Sequence, residues 1–317
     1  MPKPLSPHQW SEIQQSLQLK PSSLPWTKLK QAWLLDSPFA DSTHYIVKLD
    51  SDSGCFYLKW LRSPIAQQPY WQYLKAWMGY DLAEGYAFQA DWAKLLQQHT
   101  PFKLVQIKQA KSPSPTQSQG YVLSAEMAGT QPSSKDLDSA ALALFAQHFS
   151  QLHGLQSAQW GHPFLSAHSA QTWSLHTFAF LQQLGLPKDL VSGAIEQAAA
   201  YQIDEFVPVM LDFRWDQIQW QDNQPIGIVD MDAWLMAPVS LNLVMLEYLF
   251  TPEQAQQWRC DYHQTTAQQG IDSQKAFKQL SAWRAVFRLI LFKLNWLGAE
   301  DLQAWLSAPT HFEATTF

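Results

Sequence analysis

The sequence predicts an α+β fold with two lobes, an N-terminal lobe built on an antiparallel sheet and a C-terminal lobe that is mostly helical. Three observations predict it. Apolar and polar residues alternate through much of the N-terminal third, helical periods recur from residue 130 onward, and a short β segment rich in aspartates interrupts the helical half. A chain of 317 residues is long enough for two lobes. We place their boundary at residue 127, which gives a lobe of residues 1–127 and a lobe of residues 128–317.

Composition narrows the classes of partner. Hydrophobic residues make up 46% of the chain, which predicts a packed globular protein, and the formal net charge of −6 argues against nucleic acid as a partner. The N-terminus has no apolar signal segment, and the most apolar stretch, 284–298, is interrupted by Arg288, Lys293 and Asn295. We therefore expect a cytoplasmic protein that does not bind membranes.

The N-terminal lobe shows strand patterns on both sides of a helical region. The strand candidates are THYIVKLD (43–50), CFYLKWLR (55–62), FKLVQIKQA (102–110) and GYVLSAEMAG (120–129). The turn SDSG (51–54) joins the first two into a hairpin, and the Pro- and Ser-rich segment 111–119 is typical of an exposed loop between the last two. Residues 67–98 between the pairs have a helical period. The predicted lobe is therefore an antiparallel sheet with a helical insertion.

The C-terminal lobe begins with a helix over 133–154, which has capping residues at its start and Gly154 at its end. Further helical periods cover 170–185, 188–202, 240–250, 252–269 and 274–306. The β segment comprises strand candidates at 206–211, 218–220 and 226–230, with a turn at 221–225. Asp212 directly follows the first of these strands, and Asp230 ends the last.

Asp212 and Asp230 are predicted to meet at one edge of this β segment, because a hairpin lies between them. Two converging carboxylates can hold a hard divalent cation, or one can accept a proton while the other holds the metal. Lys59, in the apolar strand FYLKWL, is the candidate for the opposing charge. Since Mg²⁺ typically uses one or two carboxylates together with water and substrate phosphates, this combination of residues fits phosphoryl transfer.

The order of these motifs resembles the aminoglycoside phosphotransferase / choline kinase superfamily, which has a bilobal protein-kinase-like fold. The segments that carry the resemblance are YLKW (57–60), YVLSAEMAG (121–129), FAQHFSQLHGLQSAQWG (145–161), MLDFRWDQI (210–218), IVDMDAW (228–234) and APVSLNLVMLEYL (237–249). The resemblance extends over roughly residues 35–300. Its most specific feature is the ordered series of motifs, with the step from Asp212 to Asp230.

The resemblance implies ATP and Mg²⁺ as cofactors and gives each site residue a role. Asp212 would orient and deprotonate an acceptor hydroxyl, and Lys59 would hold the α- and β-phosphates. Asp230 would bind Mg²⁺, with Gln217 and Asp232 as further metal candidates. The remaining roles concern the nucleotide: a helix carboxylate, Glu84 or Asp91, would pair with Lys59, the hydroxyl groups of Ser42 and Thr43 would donate to phosphate, and backbone groups at Ala125 to Met127 would meet the adenine.

Three departures from the family pattern keep alternative functions open. Met210 and Leu211 replace the His-Gly before the aspartate, Gln217 replaces an Asn, and the loop 34–45 has no glycine. The first hypothesis is an ATP- and Mg²⁺-dependent phosphotransferase acting on a hydroxyl of a sugar, an aminoglycoside-like compound or an amino alcohol. The second is a catalytically impaired protein of the same fold that serves as a binding or regulatory module. The third is a metal-dependent hydrolase.

Overall fold

The computed structural model describes residues 2–36, 42–64, 67–115, 117, 119–130 and 137–313. Its strands are β1 (Lys3–Pro4), β2 (Leu29–Leu34), β3 (His44–Ser51), β4 (Gly54–Leu61), β5 (Lys103–Leu104), β6 (Ile107–Lys111), β7 (Tyr121–Ala125), β8 (Gln159–His162), β9 (Ser166–Ser169), β10 (Val207–Met210), β11 (Ile218–Gln221), β12 (Gln224–Ile228) and β13 (Trp234–Ala237). Its α-helices are α1 (Pro7–Ser16), α2 (Pro69–Met78), α3 (Leu82–Gly85), α4 (Gln89–Leu96), α5 (Ser139–His153), α6 (Trp173–Gln183), α7 (Lys188–Ala199), α8 (Val239–Leu249), α9 (Pro252–Gln268), α10 (Ser273–Lys293) and α11 (Leu302–Leu306).

A six-stranded antiparallel sheet, in the order β1-β2-β3-β4-β7-β6, forms the N-terminal lobe. The predicted hairpin is confirmed: β3 and β4 pair from His44↔Leu61 to Ser51↔Gly54. Gly54 adopts φ 122° at the end of the turn, a conformation that suits glycine. Alternate residues of β3 and β4, including Val47, Leu49, Leu58 and Trp60, are buried in a small core of their own, against which Trp10 and Ile13 of α1 pack. The other face of β4 is thereby free to point Lys59 away from this core.

The helical part has a second and much larger core. Helix α8 is buried almost all round, and α10 buries Trp283, Phe287 and Ile290. Helices α2 to α4 contribute Trp71, Trp77 and Trp92 to the same core, so they connect the sheet lobe to the helical part. The mixed α+β architecture, with an antiparallel sheet lobe followed by helices, is the one the sequence predicts. The division of the chain at residue 127 stays a prediction.

The strands of the helical half form two small sheets. Strands β11 and β12 make the predicted hairpin, and its turn places Asp222 and Asn223 at φ 52° and 62°, the left-handed region that two-residue hairpin turns require. Strand β10 does not join this hairpin; it pairs with β13 along Val207↔Ala237 to Met210↔Trp234, in a sheet of order β10-β13-β8-β9. The prediction of a single β segment is therefore wrong, because β10 pairs with β13, which lies in a stretch where no strand is predicted.

The predicted helix over 274–306 is also two helices. Helix α10 ends at Lys293 and α11 begins at Leu302. Between them Asn295 has φ 54° and Gly298 has φ 70°, and left-handed residues end an α-helix. Within the described ranges, none of the helices combines the length and apolar character that a membrane crossing requires.

Strand β5 and the segment after β7 both contact the β11–β12 hairpin. Strand β5 pairs in parallel with β12, through Gly227↔Lys103 and Ile228↔Leu104. Thr130 forms two main-chain hydrogen bonds with Trp220, of 2.9 and 2.7 Å. We call the segment Glu126–Thr130 the hinge. The hairpin that separates Asp212 from Asp230 is thus fixed to the N-terminal half at two places.

Candidate active site

Lys59 lies in the middle of β4, with Ile46 of β3 and Val122 of β7 as its lateral neighbours. Because side chains alternate along a strand, the burial of Leu58 and Trp60 on one face directs Lys59 to the other. Its ammonium nitrogen lies 2.8 Å from Oδ1 of Asp230 and 2.8 Å from Oδ1 of Asp232. The structure therefore brings together three of the predicted site residues, from positions more than 170 residues apart in the chain.

Asp230 and Asp232 follow β12 in the loop that leads to β13. The backbone N–H of Asp232 donates to Oδ1 of Asp230 at 2.9 Å, which fixes the two carboxylates relative to each other. Asp230 is partly exposed, whereas Asp232 is 4% exposed and lies beneath it. Of these two acids, Asp230 is therefore the one that can present an oxygen to a ligand.

Three side chains from the N-terminal half hold Asp232. The amide of Gln89, at the start of α4, donates to Oδ1 of Asp232 at 2.5 Å, and the Tyr80 hydroxyl donates to its backbone carbonyl. His44 lies 3.6 Å from Oδ2. Burial, aided by the charge of Lys59, lowers the pKa of His44 to about 3, so this imidazole is neutral near pH 7. It shares a 2.7 Å hydrogen bond with the hydroxyl of Tyr86.

Asp212 leaves the end of β10 and lies in a second group of charges. Nη1 of Arg214 donates to its Oδ1 at 2.5 Å, and Nε of Arg214 donates to Asp216 at 3.0 Å. The amide nitrogen of Gln217 is 3.5 Å from Oδ2 of Asp212. Arg214 thus connects the carboxylates of Asp212 and Asp216. Because residues 212–217 are close in sequence, Asp212 has both Arg214 and Gln217 as polar neighbours.

Burial and neighbouring charges set the pKa values of these acids. Burial raises the pKa of Asp212 to about 7; Arg214 opposes the rise, and the negative charge of Asp230 adds to it. Burial also raises the pKa of Asp232, and the adjacent Asp230 raises it further. For Asp230 burial acts in the same direction, but Lys59 outweighs it and the pKa is lowered. Asp230 is therefore the firmly ionised acid, and Asp212 is suited to exchange a proton near neutral pH.

The predicted pairing of Lys59 with a helix carboxylate is corrected by the structure. Among the described residues, the carboxylates at ion-pair distance from Lys59 are Asp230 and Asp232. Glu84 is exposed, and its backbone carbonyl accepts a hydrogen bond from Ser112. Asp91 lies on α4, two residues beyond Gln89, and is exposed as well. The helical position that faces the ion pair is Gln89, so the partner of Lys59 comes from the loop after β12.

The two predicted phosphate-binding hydroxyl groups lie at the start of β3. Ser42 Oγ is 3.4 Å from the carbonyl of His44, and the Thr43 hydroxyl accepts from the Trp71 indole at 2.9 Å. Thr43 therefore keeps its own proton available for donation. The rest of the glycine-free loop, residues 37–41, lies outside the described residues.

Ala125 and Met127, the predicted adenine contacts, lie at the end of β7 and in the hinge. The N–H of Ala125 donates to Gln106 and that of Glu126 to Cys55, both at 2.9 Å. The Met127 side chain packs against Gly227 of β12, where the absence of a Cβ leaves room for its sulfur. The N–H groups of Ala125 and Glu126 are thus already hydrogen-bonded within the protein, and the adenine contact of this segment stays a prediction.

The donor chemistry at the site fits Mg²⁺. Carboxylate and amide oxygens are its preferred protein ligands. Within the described chain, the hydrogen bonds of the Asp230 carboxylate fall on Oδ1 and leave Oδ2 without a protein partner. Asp232 fits less well, because Lys59 and Gln89 both occupy its Oδ1. No group of three or more His, Cys, Asp or Glu side chains in the described segments could hold a metal ion. Oδ2 of Asp230 is the oxygen that best fits Mg²⁺ here, whereas Gln217, whose amide nitrogen is 3.5 Å from Oδ2 of Asp212, stays a predicted ligand.

Sequence reasoning missed Gln89, His44 and Tyr80, which surround Asp232. A signal for Gln89 does exist in the sequence. Gln89, Trp92 and Leu96 form the buried side of α4 at helical spacing, and a polar residue on an apolar face needs a buried partner. No comparable pattern marks His44 or Tyr80.

No protein-family model matches the chain, and no curated protein matches its sequence. Solved structures do match. A protein described as a fructosamine-3-kinase, from Haemophilus somnus 129PT, superposes with a TM-score of 0.58 at 13% identity, over 93% of this chain and 94% of that one. A type I macrolide 2'-phosphotransferase has a TM-score of 0.56 at 13% identity, over 99% and 100% of the two chains. A spectinomycin phosphotransferase in complex with ADP and spectinomycin has a TM-score of 0.54 at 12% identity, over 93% and 92%. The chain thus shares the fold of these phosphotransferases, the protein-kinase-like fold that the resemblance in sequence predicts.

Proposed function

We propose that this protein is a phosphotransferase that uses ATP and Mg²⁺ to phosphorylate a hydroxyl group of a small molecule. The observation that carries the proposal is the position of Lys59, 2.8 Å from Asp230 in the loop after the β11–β12 hairpin. Asp212 precedes the same hairpin, in the loop after β10. The negative charge of Asp230 raises the pKa of Asp212, so the two acids share one electrostatic environment. Phosphoryl transfer relies on positioned charges of this kind.

The charge balance of the site supports a need for a divalent cation. Asp212, Asp216, Asp230 and Asp232 face the two cations Lys59 and Arg214. A site with more acids than bases repels the phosphates of a nucleotide unless a metal ion neutralises part of the charge. Asp230 and Gln217 would hold Mg²⁺, which when bound would supply that neutralisation at the phosphates.

Each of the predicted site residues then has a defined role in the reaction. Lys59 orients the α- and β-phosphates, and Ser42 and Thr43 donate to phosphate oxygens. Backbone groups at Ala125 to Met127 receive the adenine. Asp212 orients the acceptor hydroxyl and takes up its proton, for which a pKa of about 7 is well suited. Asp232 holds Lys59 in place from below.

The acceptor is proposed only as a class: a sugar, an aminoglycoside-like compound or an amino alcohol. The structural neighbours include proteins solved with spectinomycin, hygromycin B or kanamycin, all of them hydroxylated. Measuring ADP formation across a panel of such compounds identifies the acceptor. If ATP is converted to ADP and free phosphate and none of these compounds stimulates the reaction, the result would favour the metal-dependent hydrolase.

A catalytically impaired binding module is the second candidate, and one contact favours it. Both oxygens of Asp212 have protein neighbours, since Arg214 donates to Oδ1 and Gln217 lies near Oδ2. An aspartate with both oxygens engaged by protein groups must give up one of these contacts before it can accept a proton. Such a protein would bind nucleotide at the same cleft without transferring phosphate.

Nucleotide binding and turnover separate the two candidates. For the phosphotransferase, ATP should raise the melting temperature more with Mg²⁺ than without it, and a ligand at a hundred times its Kd adds about 2.7 kcal/mol of stability. Asp212→Asn should abolish turnover and keep binding, whereas Asp230→Asn should lose the Mg²⁺-dependent part of the shift. Asp222→Asn, in the exposed hairpin turn, is the matched control and should change neither.

The proposal fails if saturating nucleotide leaves the melting temperature unchanged with and without Mg²⁺. It also fails if Asp212→Asn and Asp230→Asn both turn over at the rate of the unmodified protein. Metal-dependent binding without turnover on any acceptor would instead support the binding module.

A further inference from the structure

Glu126, the first residue of the hinge, places its carboxylate on the face of the six-stranded sheet that carries Lys59. Its Oε1 accepts a hydrogen bond from Nζ of Lys48 at 2.7 Å and another from the Tyr57 hydroxyl at 3.0 Å. Lys48 and Tyr57 are direct partners across β3 and β4. Tyr57 precedes Lys59 by two residues, and Leu58 between them is buried in the core on the opposite face. Tyr57, Lys48 and the Glu126 carboxylate that they hold therefore lie on the same side of the sheet as Lys59.

A ligand can reach this carboxylate. The Glu126 side chain is 35% exposed, and Oε2 takes part in neither of the two hydrogen bonds, which both fall on Oε1. Positions two residues apart on a strand are separated by about 6.6 Å, which places Tyr57 that far from Lys59 along β4. A nucleotide is longer than this separation. One molecule can therefore contact Lys59 through its phosphates and Glu126 through its base.

The chemistry of Glu126 favours a ligand that donates hydrogen bonds. The hydrogen bond from Lys48 lowers the pKa of Glu126, so the carboxylate is ionised near pH 7. An ionised carboxylate only accepts hydrogen bonds, and these are stronger than bonds between neutral groups. The main-chain N–H groups of residues 125 and 126, by contrast, already donate to carbonyls of the protein. On adenine, the exocyclic amino group is the donor that such an acceptor would bind.

We propose that the Glu126 carboxylate accepts a hydrogen bond from the exocyclic amino group of the adenine of bound ATP. The inference rests on the proposed function, and it adds a side chain to base contacts that the sequence motifs assign to backbone groups alone. Glu126 would select nucleotides whose base presents an amino donor at this point. Lys48 and Tyr57 would be positioning residues, because they fix the carboxylate through Oε1 and touch no part of the base in this scheme.

Nucleotide binding by the full chain tests this contact without any acceptor. Calorimetry in the presence of Mg²⁺ compares ADP with purine riboside diphosphate, which differs from ADP only in lacking the amino group. We expect the unmodified protein to bind ADP about tenfold more tightly than this analogue, since a hydrogen bond to a charged group contributes about that much. Glu126→Met should bind ADP about tenfold more weakly than the unmodified protein does and should keep its affinity for the analogue, so that it binds both nucleotides equally.

Two further variants complete the comparison. Glu126→Gln keeps an acceptor oxygen and should retain part of the preference for ADP. Glu196→Met is the matched control, because it removes an exposed glutamate from α7, and it should bind both nucleotides like the unmodified protein. Without nucleotide, Glu126→Met should unfold within a few degrees of the unmodified protein, since an exposed ion pair contributes little to stability.

Two results would overturn the inference and leave the proposed function standing. If the unmodified protein binds ADP and the analogue with equal affinity, no group of the protein recognises the amino group. If Glu126→Met still prefers ADP as strongly as the unmodified protein does, a different group recognises it. If the unmodified protein binds neither nucleotide, the proposed function fails and this inference fails with it.

Discussion

Gln89 is the residue of helix α4 that faces the ion pair of Lys59, for which the sequence predicts Glu84 or Asp91 as the helix carboxylate. Its amide is 1% exposed and donates to Asp232, which in turn lies 2.8 Å from Lys59. A carboxylate at this position would lie against an acid whose pKa is already raised by burial and by Asp230. The neutral amide of Gln89 therefore avoids adding a third negative charge beside the two acids that contact Lys59.

Replacing Gln89 with glutamate should make stability depend on pH. Next to Asp232 a buried glutamate is expected to have a raised pKa in the folded protein, so the folded state binds more protons than the unfolded state above pH 4.3. Stability relative to the unmodified protein should then fall as pH rises from 5 to 8. Melting temperatures across this range measure the effect. Gln89→Met brings no charge, so its melting temperature should lie below that of the unmodified protein by the same amount at every pH. A curve for Gln89→Glu that runs parallel to that of the unmodified protein would contradict the expectation.

Residue types explain why some site residues could be predicted and others could not. An aspartate after an apolar run, as at 212 and 230, loses hydration unless it binds something, so its sequence context points to a site. Gln89, His44 and Tyr80 act through Asp232 rather than on a ligand. Which acid pairs with Lys59 depends on how closely α4 approaches the loop after β12, and residue pattern does not contain that distance.

At the scale of elements, the β11–β12 hairpin is held by a close approach at Gly227. A Cβ at this position would lie 2.2 Å from the Met127 sulfur and 2.8 Å from the backbone carbonyl of Lys103. The flexible Met127 side chain can move, but the carbonyl belongs to β5, which is paired with β12. The absence of a side chain at Gly227 therefore lets the hinge, β5 and the hairpin meet.

Gly227→Ala should destabilise the protein by about 1–3 kcal/mol, the usual cost of overpacking a filled interior. Gly193→Ala is the contrasting variant, because Gly193 lies exposed within α7 and nothing lies within 4 Å of an added Cβ. It should stabilise by roughly 0.5–1 kcal/mol through helix propensity alone. Denaturant unfolding of both variants measures the two effects, and shifts of the same sign would refute the assignment of Gly227 as a packing site.

Strands and helices that are marked by turn or capping residues could be predicted from the sequence, whereas the pairing of strands that are distant in sequence could not. The β3–β4 and β11–β12 hairpins have turn residues that mark them, and α5 has a capped start and a Gly after its end. Strand β10 pairs with β13 rather than with its nearest neighbours in sequence. That choice depends on long-range packing, which short-range periodicity does not encode.

For the molecule as a whole, two buried histidines connect stability to pH. His148 shares a 2.7 Å hydrogen bond with Thr100, and His153 shares one of 2.6 Å with Tyr262. Burial lowers the pKa of each to about 3. Both are therefore neutral in the folded protein and become charged only when it unfolds, once the pH is below their ordinary pKa of about 6.5.

Between pH 6.5 and 3 the unfolded state therefore binds more protons, and stability falls as pH falls, by up to about 1.4 kcal/mol per pH unit for each histidine. Raised carboxyl pKa values such as that of Asp212 act in the opposite direction between about pH 4 and 7. The comparison with His148→Gln isolates one histidine. The melting temperature of His148→Gln should decrease less steeply from pH 6.5 to 5 than that of the unmodified protein, whatever its value at pH 6.5. Identical slopes for the two proteins would show that His148 is not held neutral in the folded state.

The main-chain bonds between Thr130 and Trp220, together with the parallel pairing of β5 with β12, have a consequence for the permanence of the ion pair. The loop that carries Asp230 and Asp232 follows a hairpin that is anchored by two separate segments of the N-terminal half. Detaching the hairpin would break main-chain hydrogen bonds to both segments, and Lys59 would lose the two carboxylates that it contacts.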